Sequence, residues 1–363
     1  ASGPSDGLFA KALHFVFFAF GPSTAGTIYA FGYTLLTGVL LNFVFGVFAT
    51  RVMIRGAASI KALRNPWLYG AVKPGKEVKE KKPIDFVGLR KRFLTISTCL
   101  MAAIILCAAV FGVRLDTEFT GGAMITLSYQ GEISTSEVQK TASTALENNG
   151  LTLQTGENVA TGEQTLKISM PGNETVTTDQ VENLLTSLNE QYPDNAFAQL
   201  SLSNVSAAMG TKFLQKSLVA VAFSLLLILL YIGFRFKKIG GLTGGLMAVL
   251  ALLNDLVVVF GSFVLLRTPL DGNFIAAMLT ILGYSINDTV VVYDRIRENR
   301  ALMGKKTPFE ELVNHSVNQS ARRTIITTVT TVMALGVMCV VSKLYGLDSI
   351  FTFAFPLMMG MLD

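Results

Sequence analysis

Apolar residues are concentrated in stretches of about 20 positions, separated by short polar segments and by one long polar block. Such a stretch is long enough to cross a hydrocarbon core ~30 Å thick, because a helix rises ~1.5 Å per residue. Six stretches are full-length spans, at 26–54, 93–113, 213–234, 242–266, 274–292 and 324–341, and shorter ones lie at 8–20 and 350–362. The pattern predicts an all-α membrane bundle, and we expect both ends to be truncated.

The polar block at 114–212 has a different periodicity. Alternating and β-branched residues predict strands at 123–129, 152–157, 164–170 and 197–205. Between them, Ser134 and Thr178 are candidate N-caps of helices that end near Asn149 and Gln191. The order βαββαβ predicts a ferredoxin-like α+β domain, a fold that indicates no function by itself.

Lys and Arg residues set the predicted topology. Segments 51–92, 235–238 and 295–323 contain 12, three and seven of them, and alternating spans put all three segments on one side. The block at 114–212 holds 12 acidic and four basic residues. Because basic loops stay cytoplasmic, we predict a multi-pass protein of the bacterial cytoplasmic (inner) membrane with residues 114–212 outside.

Several classes of function lack support in the composition. Cys99, Cys107 and Cys339 lie in apolar stretches without metal-ligand spacing, and His14 and His315 are far apart. We therefore predict no metal, no cofactor and no enzymatic activity, since no nucleophile–base pair is evident. The net charge of +5 reflects basic residues that flank spans without interleaved aromatics, so nucleic acid is not a predicted partner.

Two carboxylates inside predicted spans are candidates for chemistry. Asp288 follows Asn287 and Ser285, and Asp255 lies mid-span in the preceding helix. Charged residues at such depth are usually functional. Burial disfavours the charged form of a carboxylate and a nearby cation favours it, so a carboxylate under both influences can exchange a proton near neutral pH. A structural hydrogen bond between helices is the alternative for each.

Arg323 opens a span in which Thr324, Thr327, Thr328 and Thr331 follow helical spacing. Hydroxyls on one face of a membrane helix either join helices or line a hydrated path. We predict that Arg323, Thr327, Asn287 and Ser285 accompany the two carboxylates in a proton relay. The alternative for Arg323 is a topology anchor at the cytoplasmic membrane surface.

Four glycines, Gly240, Gly241, Gly244 and Gly245, form two overlapping small-xxx-small pairs. This spacing predicts close packing between helices. A phosphate-binding loop is not indicated, because no Gly-Lys-Ser/Thr sequence follows.

Three segments carry a family resemblance. The stretch at 283–299, GYSINDTVVVYDRIREN, is the most specific, and the others begin at Arg323 (RTIITT) and Phe119 (FTGG). Together they resemble the SecD–SecF protein-export family, accessory subunits of the Sec translocase within the resistance–nodulation–division superfamily. The family usually has Asp directly before the Phe of the last segment. Glu118 stands there in this chain, with Asp116 two residues earlier.

The resemblance to SecF covers 85–363, and the segment around 25–51 is similar to the last helix of SecD. It implies a SecD-like end at 1–54, a cytoplasmic basic linker at 55–92, a first SecF-like helix at 93–113, the outer domain at 114–212 and the remaining helices at 213–363. Most of SecD is absent, including its intramembrane acid.

The resemblance also implies roles and partners. The acid that matches Asp288 takes part in proton conduction beside the arginine that matches Arg323, and Asp255 matches a further acid of the family. Expected partners are the SecYEG channel, the missing SecD portion, an unfolded translocating polypeptide and the lipid bilayer. The implied function is export of polypeptides driven by the proton-motive force.

Two other functions stay open at this point. A small-molecule or lipid transporter of the resistance–nodulation–division superfamily is the main alternative, and it requires a substrate cavity. A structural assembly factor is the other, and it predicts that Asp288 and Arg323 tolerate neutral replacements.

Overall fold

The structure, a computed structural model, describes residues 26–60, 83–148, 150–157, 163–172, 175–304 and 306–362. The chain divides into two compact units, Ser23–Ile84 and a unit that contains residues 85–363. The predicted partial span at 8–20 and most of the predicted linker lie outside the described residues.

The described part of the first unit is helical. Helix α1 spans Gly26–Leu41, a π-helical segment follows at Asn42–Ala49, and α2 spans Thr50–Ser59. The stretch Gly32–Ser59 is long and apolar enough to cross a membrane.

The second unit begins with an apolar helix and continues into a small domain with a sheet. The elements are α3 (Arg90–Phe111), α4 (Thr117–Thr120), β1 (Gly122–Tyr129), α5 (Thr135–Ala145), β2 (Thr152–Glu157), β3 (Gln164–Pro171), α6 (Thr178–Gln191) and β4 (Ala198–Val205). The strands form one four-stranded sheet in the order β2-β3-β1-β4, and all neighbours are antiparallel. From β1 onward the elements thus follow the order βαββαβ.

The core of this domain lies between the sheet and its two helices. Alternate residues of the central strands β1 and β3 are fully buried, and they meet the apolar faces of α5 and α6. The buried set includes Ile125, Leu127, Leu166, Ile168, Val138, Ala142, Val181, Leu184 and Leu188. Buried residues recur every two positions on the strands and about every 3.6 positions on the helices, so both sets of apolar side chains face a single core.

The helix starts differ in detail from the sequence prediction. Ser134 is the N-cap of α5 as predicted, but its hydroxyl lies 3.1 Å from that of Ser136 and makes no capping hydrogen bond to the helix backbone. At the second helix Thr177, one residue before the predicted cap, forms a capping box with Gln180. The helix α5 ends at Ala145, before the predicted end, and Glu147 follows with a positive φ of 50°.

The Phe-Thr-Gly-Gly segment joins α4 to β1 where the backbone is tightly packed. Gly121 has φ +81°, and a Cβ there would lie 2.5 Å from the backbone nitrogen of Ala207. Gly122 has φ +129°, and its Cβ would collide with the carbonyl oxygen of Met170. Both positions therefore require glycine, and the segment holds the start of the sheet against the start of the next membrane helix.

The remaining helices complete the membrane part of the unit. They are α7 (Ala207–Arg235), α8 (Gly241–Leu266), α9 (Gly272–Met303), α10 (Phe309–Leu344) and the shorter α11 (Asp348–Met361). Within the described residues six helical stretches are long and apolar enough to span a membrane, namely Gly32–Ser59 of the first unit and α3, α7, α8, α9 and α10 of the second. The prediction of a multi-pass helical protein with one small sheet is confirmed.

Small residues let these helices approach closely. A Cβ at Gly261 of α8 would lie 2.8 Å from Ile104 of α3. A Cβ at Gly360 of α11 would lie 2.7 Å from Val259 of α8. Such contacts replace the hydrophobic driving force that is missing between helices in lipid.

Candidate functional site

Asp288 lies in the middle of α9, which packs against α8, α10 and α11. Its side chain is half-buried, while the neighbouring Asn287 is exposed. A carboxylate on a helix enclosed by three others cannot be hydrated as it would be in bulk water, so its charge depends on local partners.

Arg323 lies on α10, and its positive charge acts electrostatically on the carboxylate of Asp288. No ion pair within 4.0 Å joins the two side chains, both of which belong to the described residues. Arg323 is exposed and Asp288 is half-buried. The structure thus brings the predicted acid and base into electrostatic range without closing a direct ion pair.

The hydroxyl groups near this pair bond mostly within their own helices. Thr289 donates to the carbonyl oxygen of Ser285 at 3.3 Å. Thr327 donates to the carbonyl oxygen of Arg323 at 2.9 Å, and its own carbonyl accepts from Thr331 at 3.0 Å. Back-bonding of this kind satisfies the hydroxyl proton but leaves an oxygen lone pair available to a water or a neighbour.

Thr324 differs from the rest of the predicted threonine stripe. Its hydroxyl oxygen is buried and has no hydrogen-bond partner among the described residues. A buried hydroxyl without a partner is unfavourable by about 1–3 kcal/mol. It is therefore available to bind a group that enters the bundle next to Arg323, such as a water molecule.

Asp255, the second predicted acid, is half-buried on α8. The preceding residue, Asn254, accepts a hydrogen bond of 2.7 Å from the hydroxyl of Ser97 on α3. This polar contact joins α8 to α3, on a different pair of helices from the one that carries Asp288 and Arg323.

A polar cavity of about 340 Å³ adjoins Arg323 at the end of α9 remote from the sheet. Asp294 lines it and pairs with Arg235 at 3.5 Å and with Arg297 at 2.5 Å. Glu298 and Gln319 also line it. The cavity thus places charged groups of both signs beside Arg323.

The four predicted packing glycines have different surroundings. Gly240 is the N-cap of α8, and Gly241 has a positive φ of 52°, so both belong to the turn that starts the helix. A Cβ at Gly245 would lie 2.9 Å from the carbonyl oxygen of Leu229 on α7. The carbonyl of Gly244 accepts a 3.0 Å hydrogen bond from the Tyr293 hydroxyl of α9. Gly244 and Gly245 thus face two different helices.

A second charged group lies at the opposite end of α9, and the sequence analysis did not bring it together. Lys167 of β3 pairs with Glu118 at 3.4 Å and with Asp116 at 3.6 Å. Glu118 accepts a 2.8 Å hydrogen bond from the backbone N–H of Gly272, the first residue of α9. Asp271 caps that helix, because its carboxylate accepts hydrogen bonds from the backbone N–H groups of Asn273 at 3.0 Å and Phe274 at 3.2 Å.

Comparison with known proteins gives consistent matches. The family model described as "Protein export membrane protein SecD/SecF, C-terminal" matches residues 184–363. The protein translocase subunit SecF of Endomicrobium trichonymphae is 30% identical over 287 residues, which cover 76% of this chain and 85% of that protein.

Relatives that combine SecD and SecF in one chain, named SecDF, match over almost the whole of this chain. The protein translocase subunit SecDF of Bacillus subtilis is 28% identical over 96% of this chain and 46% of its own length. The crystal structure of SecDF from Thermus thermophilus, titled a translocon-associated membrane protein, superposes with a TM-score of 0.69 at 25% identity. It covers 97% of this chain, which spans 46% of that structure. This chain therefore belongs to the SecD–SecF protein-export family and corresponds over most of its length to the SecF portion.

Proposed function

We propose that the chain is an accessory subunit of the Sec protein translocase that uses the proton-motive force to promote polypeptide export. Its membership of the SecD–SecF family supports the translocase role. Its partners are then the SecYEG channel, a SecD portion that supplies the other half of the bundle, and an unfolded polypeptide. The observation that carries the energy coupling is Asp288, half-buried on α9 within electrostatic range of Arg323.

The proton step acts on this pair. A proton that reaches Asp288 neutralises the carboxylate and removes its attraction to Arg323. Helices α9 and α10 then repack, because the contact between them no longer includes opposite charges. One charge that crosses 100 mV supplies ~2.3 kcal/mol, enough to shift a two-state population roughly 50-fold.

The outer domain receives this motion through its attachments to the membrane helices. Glu118 bonds to the first residue of α9, and Thr155 of β2 bonds to Asp348 at the start of α11 at 3.2 Å. We infer that repacking of the helices tilts the domain, for which we propose a ferredoxin-like fold. The tilt then rectifies the movement of a polypeptide.

The orientation of the protein follows from its charges. Arg235, Asp294 and Arg297 form an ion-pair network at the end of the bundle remote from the sheet. We place this end in the cytoplasm, because basic residues that flank spans remain there. Residues 114–212 then lie outside the bacterial cytoplasmic membrane, where an exported chain emerges.

The test is export driven by an imposed proton gradient into vesicles that contain the translocase and the variants. Asp288→Asn should abolish the stimulation by the gradient and leave gradient-independent export unchanged. Asp294→Asn, the same change on the same helix within an exposed ion pair, is the matched control and should retain most of the stimulation. Full stimulation with Asp288→Asn would overturn the proposal, and gradient-driven flux of a drug or lipid would favour the alternative transporter.

A further inference from the structure

The charged group at the outer end of α9 has more negatively than positively charged side chains. Three carboxylates, Asp116, Glu118 and Asp271, share one ammonium group, that of Lys167. The side chain of Asp116 is 1% exposed and that of Glu118 is 17% exposed. Asp271 is 3% exposed. We call these four residues the outer joint.

The outer joint connects two parts of the unit. Asp116 and Glu118 belong to the segment that leads through α4 into β1, and Lys167 lies on β3 of the sheet. Asp271 and the backbone of Gly272 belong to the start of α9. The backbone continues the connection, because Asp116 N–H donates to Leu270 at 3.0 Å and Leu270 N–H donates to Arg114 at 2.9 Å.

The charged groups that act on Asp271 are the other three residues of the outer joint. Glu118 and Asp116 oppose its ionisation, and Lys167 favours it. Arg114 and Arg267, the other charged residues of the adjoining segments, line a separate small cavity between α3 and α8. The guanidinium of Arg267 lies over the ring of Phe111, 5.1 Å from its centroid.

We propose that the outer joint binds one exchangeable proton from the outer side and that its release loosens the sheet from the start of α9. With the proton on Asp271, only Asp116 and Glu118 are negatively charged, and they share Lys167. When the proton leaves, three carboxylates, of which Asp116 and Asp271 are buried, repel one another across the contact. Like charges in a buried site resist simultaneous ionisation, so the repulsion separates the two parts.

Burial, with the charges of Glu118 and Asp116, raises the pKa of Asp271 to about 7, against the opposing effects of Lys167 and of the hydrogen bond from the Phe274 backbone N–H. Burial lowers the pKa of Lys167, but the charges of Asp116, Glu118 and Asp271 outweigh this effect and raise it. Lys167 therefore stays charged, and Asp271 is the group that holds the exchangeable proton.

The inference deepens the proposed function, on which it rests. It adds a proton-binding group, separate from Asp288, between the outer domain and the membrane helices, on the side from which protons enter. Asp271 caps the helix that carries Asp288, 17 positions further along (288 − 271). At ~1.5 Å per residue this places the two carboxylates ~25 Å apart on one helix.

The test measures the position of the outer domain against pH without any gradient. Spin labels on Asp179→Cys of α6 and Leu265→Cys of α8, both exposed positions, report the distance between the domain and the membrane helices. The full chain is placed in proteoliposomes equilibrated from pH 5.5 to 8.5, with its three native cysteines replaced. We expect the distance distribution to change with a midpoint near pH 7.

Three variants distinguish the outer joint from other titrating groups. Asp271→Asn retains the helix cap and should hold the low-pH distance at every pH. Glu118→Gln removes a repelling charge and should lower the midpoint by about one pH unit, and Lys167→Met should raise it by a similar amount. The inference would be overturned by a distance distribution that is independent of pH, or by a midpoint that is the same in wild type, Glu118→Gln and Lys167→Met.

Asp288→Asn separates this inference from the proposed function. The variant should keep the pH-dependent change in distance and lose gradient-stimulated export. If Asp288→Asn keeps both gradient-stimulated export and the pH-dependent change in distance, the proposed relay through Asp288 is wrong and the inference about the outer joint is retained. If the change in distance disappears with Asp288→Asn, the outer joint does not titrate independently and the inference fails.

Discussion

The hydroxyl of Thr155 lies 3.2 Å from the carboxylate of Asp348 and also donates to the carbonyl oxygen of Gly346. Thr155 is on the edge strand β2, and Asp348 is the first residue of α11. The sheet is thus attached to the membrane helices at a second place, away from the outer joint.

Replacement of Thr155 tests this second attachment. Thr155 is 4% exposed, so Thr155→Val keeps the shape of the side chain but removes the hydroxyl that donates to the Gly346 carbonyl oxygen and lies beside the Asp348 carboxylate. We expect a loss of about 1–3 kcal/mol in the free energy of unfolding, measured by thermal denaturation in detergent. Thr175→Val, the same change at an exposed position, should be nearly neutral, and equal effects of the two would contradict the attachment.

The packing between α7 and α8 predicts opposite effects of two glycine replacements. Gly245→Ala places a methyl group 2.9 Å from the Leu229 carbonyl oxygen, and the resulting separation of the helices should cost about 1–3 kcal/mol of stability. Gly283→Ala, in α9, meets no atom within 4 Å and should stabilise its helix by about 0.5–1 kcal/mol. Thermal denaturation of both variants measures the difference, and the same sign for both would rule out this packing.

The pKa of Asp271 predicts how its contribution to stability changes with pH. Its folded-state pKa of about 7 lies above the ordinary value of 3.8, so the folded protein holds a proton that the unfolded chain releases. The stability that Asp271 contributes is therefore complete below pH 4 and declines as the pH rises through 7.

The measurement is the melting temperature of the wild-type protein and of Asp271→Asn between pH 5 and 8. The variant cannot ionise, so its stability relative to wild type should increase across this range. A constant difference between the two proteins would show that Asp271 does not titrate there.

Most of the membrane part could be predicted because long apolar stretches have few alternatives in lipid. The predicted stretch at 274–292 ends too early, because α9 continues to Met303. The one at 324–341 begins too late, because α10 begins at Phe309. Hydropathy marks only the part of a helix that contacts lipid. The extensions are held by polar contacts, such as the 2.9 Å hydrogen bond from Asn299 to Ser316, and these are invisible to an apolar pattern.

The two charged groups differ in how far the sequence indicates them. Asp288 is conspicuous as a charge within an apolar stretch, and Arg323 as the residue directly before a stretch rich in threonine. The outer joint could not be predicted, since Glu118, Lys167 and Asp271 are polar residues in polar segments and only the tertiary fold brings them together. One signal was Asp271, an acid directly before a helix of the bundle, where it serves as N-cap. Another was the pair Asp116 and Glu118 just before the Phe-Thr-Gly-Gly segment.

The central claim is that Asp288 changes its protonation state in a manner that depends on Arg323. Infrared difference spectra of the protein in proteoliposomes, recorded between low and high pH, measure this directly. We predict a carboxylic-acid C=O band that disappears in Asp288→Asn, shifts in frequency in Asp288→Glu, and persists to higher pH in Arg323→Gln because the stabilising cation is removed. A spectrum that is unchanged by Asp288→Asn, or a band whose pH dependence is the same with and without Arg323, would contradict the claim.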